Sequence, residues 1–206
     1  MAFTLDYTHP VAPDEDGVGR AFVSRSLLDA KGFEDAVEIV TTRYRLIGGH
    51  NYQLLSFADG RAANVEAASG KGSFHVRTLA GPMASPPVLN GGAAITHMYH
   101  ANEYLYLNVS QSPSKDSDWR MQRAATFAIP ASRDEVVQIM GDTLTAEWAG
   151  NVSIYQQGAA VGDTGYTMHT VFFDMVARTV TAFKGNPKRQ SEVFSCAQEA
   201  CGEAFK

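Results

Sequence analysis

The sequence predicts an α+β fold with mostly antiparallel sheet. Strand-like stretches come in blocks separated by helical blocks, without the strict strand–helix alternation of a parallel sheet. Two apolar runs meet at Asp59-Gly60, the signature of a β-hairpin. Ser132-x-x-Glu135 stands just ahead of an apolar-periodic run and reads as a capping box opening a helix.

Taken in order, "FTLDY" alternates, with Phe3, Leu5 and Tyr7 on one face of a short strand. A loop rich in Pro, Gly and acids follows. From Arg20 the apolar residues Phe22, Leu27 and Leu28, then Phe33, Ala36, Val37 and Val40, predict two short helices over 20–30 and 33–43. "HNYQLLSFADGRAANVEAA" is the hairpin and "SFHVRTL" a further strand. Residues 80–92 form a Pro/Gly loop, and 93–100 return to strand. "QSPSKDSD" reads as a loop from which a helix starts at "WRMQRAATFA", with the capped helix after it. "NVSIYQQ", "YTMHTVFFDMV" and "RTVTAFKG" read as strands, and a polar helix over 190–204 closes the chain.

A length of 206 residues fits one domain, and 45% hydrophobic content is ample for a core. The net charge of -5 comes with no basic stripe, which argues against a nucleic-acid partner. No run of eighteen apolar residues is present, so no membrane span is expected, and no signal peptide is expected either. Two cysteines fit a reducing, cytoplasmic setting.

The stretch "AITHMYHANEY" concentrates the polar chemistry. Read as a strand, it places His97 and His100 on opposite faces, so they do not share a metal, and no metal or other cofactor is expected. His100 and Asn102 would share a face. A side-chain amide on a rigid strand is a good oxyanion donor, but an edge Asn bonded to a neighbouring loop fits the spacing as well. Gly48-Gly49-His50-Asn51 reads as a turn entering a strand, or as a site lining in which Asn51 meets substrate. Arg120 and Arg123 share a helix face, either as carboxylate partners or as a solvated surface. Cys196 and Cys201 lie among Glu192, Glu199 and Glu203, which disfavour a thiolate, so neither is a nucleophile candidate.

Gly17-Val18-Gly19-Arg20, Arg25-Ser26-Leu27-Leu28-Asp29-Ala30, Asn51-Tyr52-Gln53-Leu54, His100-Ala101-Asn102, Ser117-x-x-Arg120-x-x-Arg123 and Gly185-Asn186-Pro187 follow one another in this order. The ordered set resembles the C45 peptidase-like family typified by acyl-coenzyme A:6-aminopenicillanic acid acyltransferase, over roughly residues 16–195. Within it, the chain looks most similar to the hydrolases of N-β-alanyl-dopamine and N-β-alanyl-histamine. The resemblance implies an N-terminal nucleophile (Ntn) hydrolase fold, an αββα sandwich, here incomplete. It implies a cysteine that becomes the first residue of the β subunit after self-cleavage, attacks an amide and uses its own α-amino group as base. It places an oxyanion donor at Asn102 and a site arginine at Arg120, with His100 and Asn51 beside a small-molecule amide substrate.

This chain begins Met-Ala-Phe, so the expectation is the C-terminal portion of a β subunit over 1–206. Its partner would then be an α subunit or a missing N-terminal segment carrying the nucleophile. Acyl-CoA-dependent transfer, a non-catalytic homologue that binds a ligand or partner, and a homo-oligomeric assembly are alternatives the residues leave open.

Overall fold

The computed structural model describes residues 1–79, 97–144, 152–163, 165–189 and 192–197. It divides into two compact units, Met1–Ser114 and Lys115–Lys206.

In the first unit, β1 (Ala2–Thr8), β2 (Gly49–Ser56), β3 (Arg61–Ala67) and β4 (Phe74–Leu79) form an antiparallel sheet in the order β1-β2-β3-β4. The β2–β3 hairpin turns at Asp59-Gly60, as the sequence predicts. Gly60 takes φ 64, a left-handed conformation that glycine adopts without strain. The Ser56 hydroxyl donates to the Asp59 carboxylate at 2.7 Å and locks the turn.

Between β1 and β2 lie α1 (Arg20–Leu27), α2 (Phe33–Glu38) and a π-helical turn (Ile39–Arg43) that continues α2. Val23, Leu27, Phe33, Ala36, Ile39 and Val40 cover one face of the sheet. Because strand side chains alternate, that face receives Leu5, Tyr52, Leu54, Ala63, Val65 and Val76. Burying each large apolar side chain among them contributes about 1.5–3 kcal/mol.

The other face is polar. The strand register sets Asp6, Asn51, Glu66 and His75 side by side in one row across all four strands. Thr4, Gln53, Asn64 and Arg77 make the next row.

The second unit holds α3 (Lys115–Ala125), α4 (Arg133–Met140) and a three-stranded antiparallel sheet, β5 (His169–Asp174), β6 (Thr179–Lys184) and β7 (Glu192–Ala197). The Asp174 carboxylate accepts from Val176 N and Ala177 N and shapes the β5–β6 turn. The Ser132 capping box is present in both halves: the Ser132 hydroxyl accepts from Glu135 N, and the Glu135 carboxylate accepts from Ser132 N. Ser132→Ala is expected to cost about 1 kcal/mol in urea unfolding, while a Ser132→Asp chain keeps near wild-type stability.

Mixed helix and antiparallel sheet make the fold α+β, as expected. Four local expectations are corrected. Of the strand expected over 93–100, residues 93–96 lie outside the described residues and His97–His100 are not strand. Val152–Gln157 form a folded loop instead of a strand, because the Asp163 carboxylate gathers Gln157 N and the Ser153 hydroxyl. Helix α3 starts at Lys115, inside the expected loop. The expected C-terminal helix is strand β7 where it is described; its Phe194 and Cys196 pair with Ala182 and Val180 of β6. Phe194 suits that half-buried ladder better than a helix.

Candidate functional site

The polar face of the four-stranded sheet is crossed by residues 97–111, which have no regular secondary structure. Glu66, the next-to-last residue of β3, is fully buried beneath them. Its Oε1 accepts from Leu105 N at 2.6 Å, and its Oε2 from Tyr106 N at 2.9 Å and Leu107 N at 2.6 Å. His100 Nε2 lies 2.9 Å from Oε1. Burial pushes the Glu66 carboxyl pKa up, but the hydrogen bonds from His100, Leu105, Leu107 and Tyr106 outweigh it and hold the group below its ordinary value.

These contacts bring together three of the residues singled out in the sequence. The His100 side chain is 1% exposed, with Nδ1 2.6 Å from the Ala101 carbonyl and 3.7 Å from the Asp6 carboxylate. Both ring nitrogens therefore face oxygen acceptors. Asn51 is fully buried; its Nδ2 donates to Asp6 at 3.3 Å, and its Oδ1 accepts from Asn64. Asn102 donates from Nδ2 to the Tyr7 carbonyl of β1 at 2.9 Å. An amide NH₂ carries two hydrogens, so the Tyr7 bond fixes the direction of the second.

The strand geometry invoked for "HANEY" is replaced by this tethered loop. His97 is exposed while the His100 side chain is buried, and the fixing of Asn102 comes from tertiary bonds rather than from a β ladder.

Further ties close the loop onto the sheet. The Tyr104 hydroxyl donates to the Ala67 carbonyl at 3.2 Å, and Gln111 bonds both Tyr104 N and Tyr104 O. The Tyr106 ring stacks on His75 and lies under the Arg77 guanidinium, 4.2 Å from its ring centre. Gly49 is required at the edge of this arrangement, since a Cβ there would overlap the Tyr104 hydroxyl.

Arg120 belongs to the second unit. Its Nε donates to the Asp116 carbonyl at 3.2 Å and its Nη2 to the Ser117 hydroxyl at 3.4 Å, so Ser117-x-x-Arg120 is a contact along one helix face. Arg123, its companion in the sequence pattern, forms a two-pronged pair with Asp142 through Nε and Nη2, each at 2.9 Å. Burial pushes the Asp142 pKa up, yet the Arg123 pair brings it below the ordinary value. Asn186 donates to the Gly141 carbonyl at 2.9 Å, which ties the Gly185-Asn186-Pro187 pattern to the end of α4.

Asp6 and Glu66 were not singled out from the sequence as site residues. Their signal was present: a carboxylate among small apolar residues in "ANVEAA", and a hairpin register that places Glu66 opposite Asn51.

Cys196 presents no free thiol. Among the described residues, no group of three or more His, Cys, Asp and Glu is placed to hold a metal ion, and no helix is long and apolar enough to cross a membrane.

No curated protein matches this chain. The model of the acyl-coenzyme A:6-aminopenicillanic acid acyl-transferase family matches residues 1–189, a span that includes the whole polar sheet face, the loop over it and the Arg120 helix. That family points in general to acyl transfer and amide-bond cleavage. With residues 1–189 of 206 matched, the chain belongs to the acyl-coenzyme A:6-aminopenicillanic acid acyl-transferase family.

Proposed function

We propose that this chain forms part of a cysteine amidohydrolase that splits N-β-alanyl biogenic amines, such as β-alanyl-dopamine and β-alanyl-histamine. The family match supports acyl chemistry at an amide. The stretches "GVGRAFVSRSLLDAK" and "GHNYQLL" are what favour the β-alanyl branch within it.

In this reading a cysteine thiolate attacks the amide carbonyl. Asn102 donates to the oxyanion that forms. The tetrahedral adduct collapses to a thioester, and the nucleophile's α-amino group delivers the proton to the departing amine. Water then attacks the thioester, releases β-alanine and returns the thiol. His100 and Asn51, both buried, support the substrate side from behind, through their contacts with the Asp6 carboxylate. The αββα fold belongs to this reading, and the helix-covered sheet of the first unit suits one helix–sheet half of it.

A neutral amide suits the oxyanion role because it supplies N–H without adding a charge that must be neutralised between turnovers. Asn102→Ala, made in the enzyme that carries the nucleophilic cysteine, is expected to lower amine release about a hundredfold. Unchanged turnover would remove Asn102 from the mechanism. Amine acylation by an acyl-CoA, with no hydrolysis of the β-alanyl conjugates, would instead select the transferase alternative.

A further inference from the structure

The Asn102 segment is anchored by a group that the proposed chemistry does not use. Leu105, Tyr106 and Leu107 direct three consecutive backbone N–H groups at the Glu66 carboxylate. Such a concavity of successive N–H groups ordinarily binds an anion. Here its occupant is a side chain of the neighbouring strand. The fourth partner, His100, comes from the other side of Asn102 in the chain. Asn102 therefore sits between two points that Glu66 holds, and its own amide reaches the Tyr7 carbonyl across the sheet edge.

The charge of Glu66 matters as much as its position. A carboxylate offers only acceptors, and all of its partners here are N–H groups or a ring nitrogen. A glutamine of the same length would turn an NH₂ toward one side of this donor set. Donor would meet donor, and a buried N–H would be left unsatisfied. Asp6, 3.7 Å from His100 Nδ1, His75, beside Glu66 in the same row, and Tyr104, whose hydroxyl pKa the Glu66 charge helps to raise, are further titratable groups around this pair.

We propose that Glu66 is a positioning residue that holds residues 100–107, and with them the Asn102 amide, in place on the polar face of the sheet. Its catalytic consequence rests on the oxyanion reading of Asn102.

The test compares the wild-type chain with Glu66→Gln by amide hydrogen exchange. The expected result is exchange at least about tenfold faster at Leu105, Tyr106 and Leu107, with β2 and β3 unchanged. Unaltered exchange at those three amides, or equal acceleration throughout the first unit, would overturn the proposal. Should Glu66→Gln fail to fold, Glu66→Asp keeps the charge and withdraws it by one methylene. Partial acceleration confined to 105–107 is then expected, and none would again overturn it.

Turnover separates the two readings. Glu66→Gln is expected to lower kcat at least tenfold with KM within about twofold, and the double variant with Asn102→Ala to be no slower than Asn102→Ala alone. Losses that multiply would mean that Glu66 does not act through Asn102. An Asn102→Ala rate equal to wild type would sink the oxyanion reading, while the exchange result would still decide whether Glu66 anchors the loop.

Discussion

Replacing Gly17 by alanine is expected to destabilise the first unit by about 3 kcal/mol, the upper part of the range for overpacking. The added Cβ would overlap Ile47 N and the carbonyl carbon of Leu46, and would stand 2.5 Å from Ile47 Cα. These are backbone atoms, so no rotamer change relieves the clash. Nor is the backbone there free to move. Val18 N donates to Arg45 O at 2.6 Å, Ile47 N to Val18 O at 3.2 Å, and Asp14 N to Ile47 O at 2.9 Å. On the far side Leu46 and Gly70 exchange two hydrogen bonds of 2.8 Å each. Relief requires breaking several of these bonds at once. Urea unfolding with an unchanged slope is the measurement. A loss below about 1 kcal/mol would show that the 14–18 loop swings aside, and the close approach would then not be what requires a glycine at position 17.

How far the sequence foretold this molecule depends on where each conformation is determined. β1, β2 and β3 were legible because a two-residue period and an Asp-Gly turn are local signals. The α4 start was legible because Ser132 and Glu135 satisfy each other within four residues. Residues 97–111 were not, since Glu66, 35 or more residues away in the chain for most of its bonds, decides their path. Strand β7 was missed for a related reason. Val-Phe-Ser-Cys between polar residues suits helix or strand, and only the unpaired edge of β6 settles it. Of the site, His100 and Asn51 were identified and do share the Asp6 carboxylate. Their connection through Glu66 follows from the register of three strands, which motif spacing alone does not supply.

His50 should make the stability of the protein depend on pH well above the carboxylate range. Its side chain points to the helix-covered face of β2, next to Asn51 but on the opposite side of the sheet. The residue is 1% exposed, and among the described residues neither ring nitrogen has a hydrogen-bond partner. It packs against the rings of Tyr52 and Tyr7, at 5.7 and 6.4 Å between centres, and the Arg20 cation lies over Tyr7. Burial first, and the Arg20 charge second, push the His50 pKa from 6.5 down to about 4. The folded chain therefore holds His50 neutral where the unfolded chain would protonate it. Its contribution is fully present above pH 6.5 and is lost as pH falls toward 4, by about 3 kcal/mol in all at about 1.4 kcal/mol for each tenfold change in protonation. Glu66 adds a loss of the same sign only below its ordinary value of 4.5, because its folded pKa is lowered. The interval from pH 6.5 to 4.5 therefore isolates His50 from Glu66. Urea midpoints measured across that interval should fall steeply for the wild-type chain and more gently for His50→Leu, which has no ring to protonate. Parallel curves for the two proteins would mean that His50 is protonated in the folded state without cost, and that water or a partner group reaches its ring.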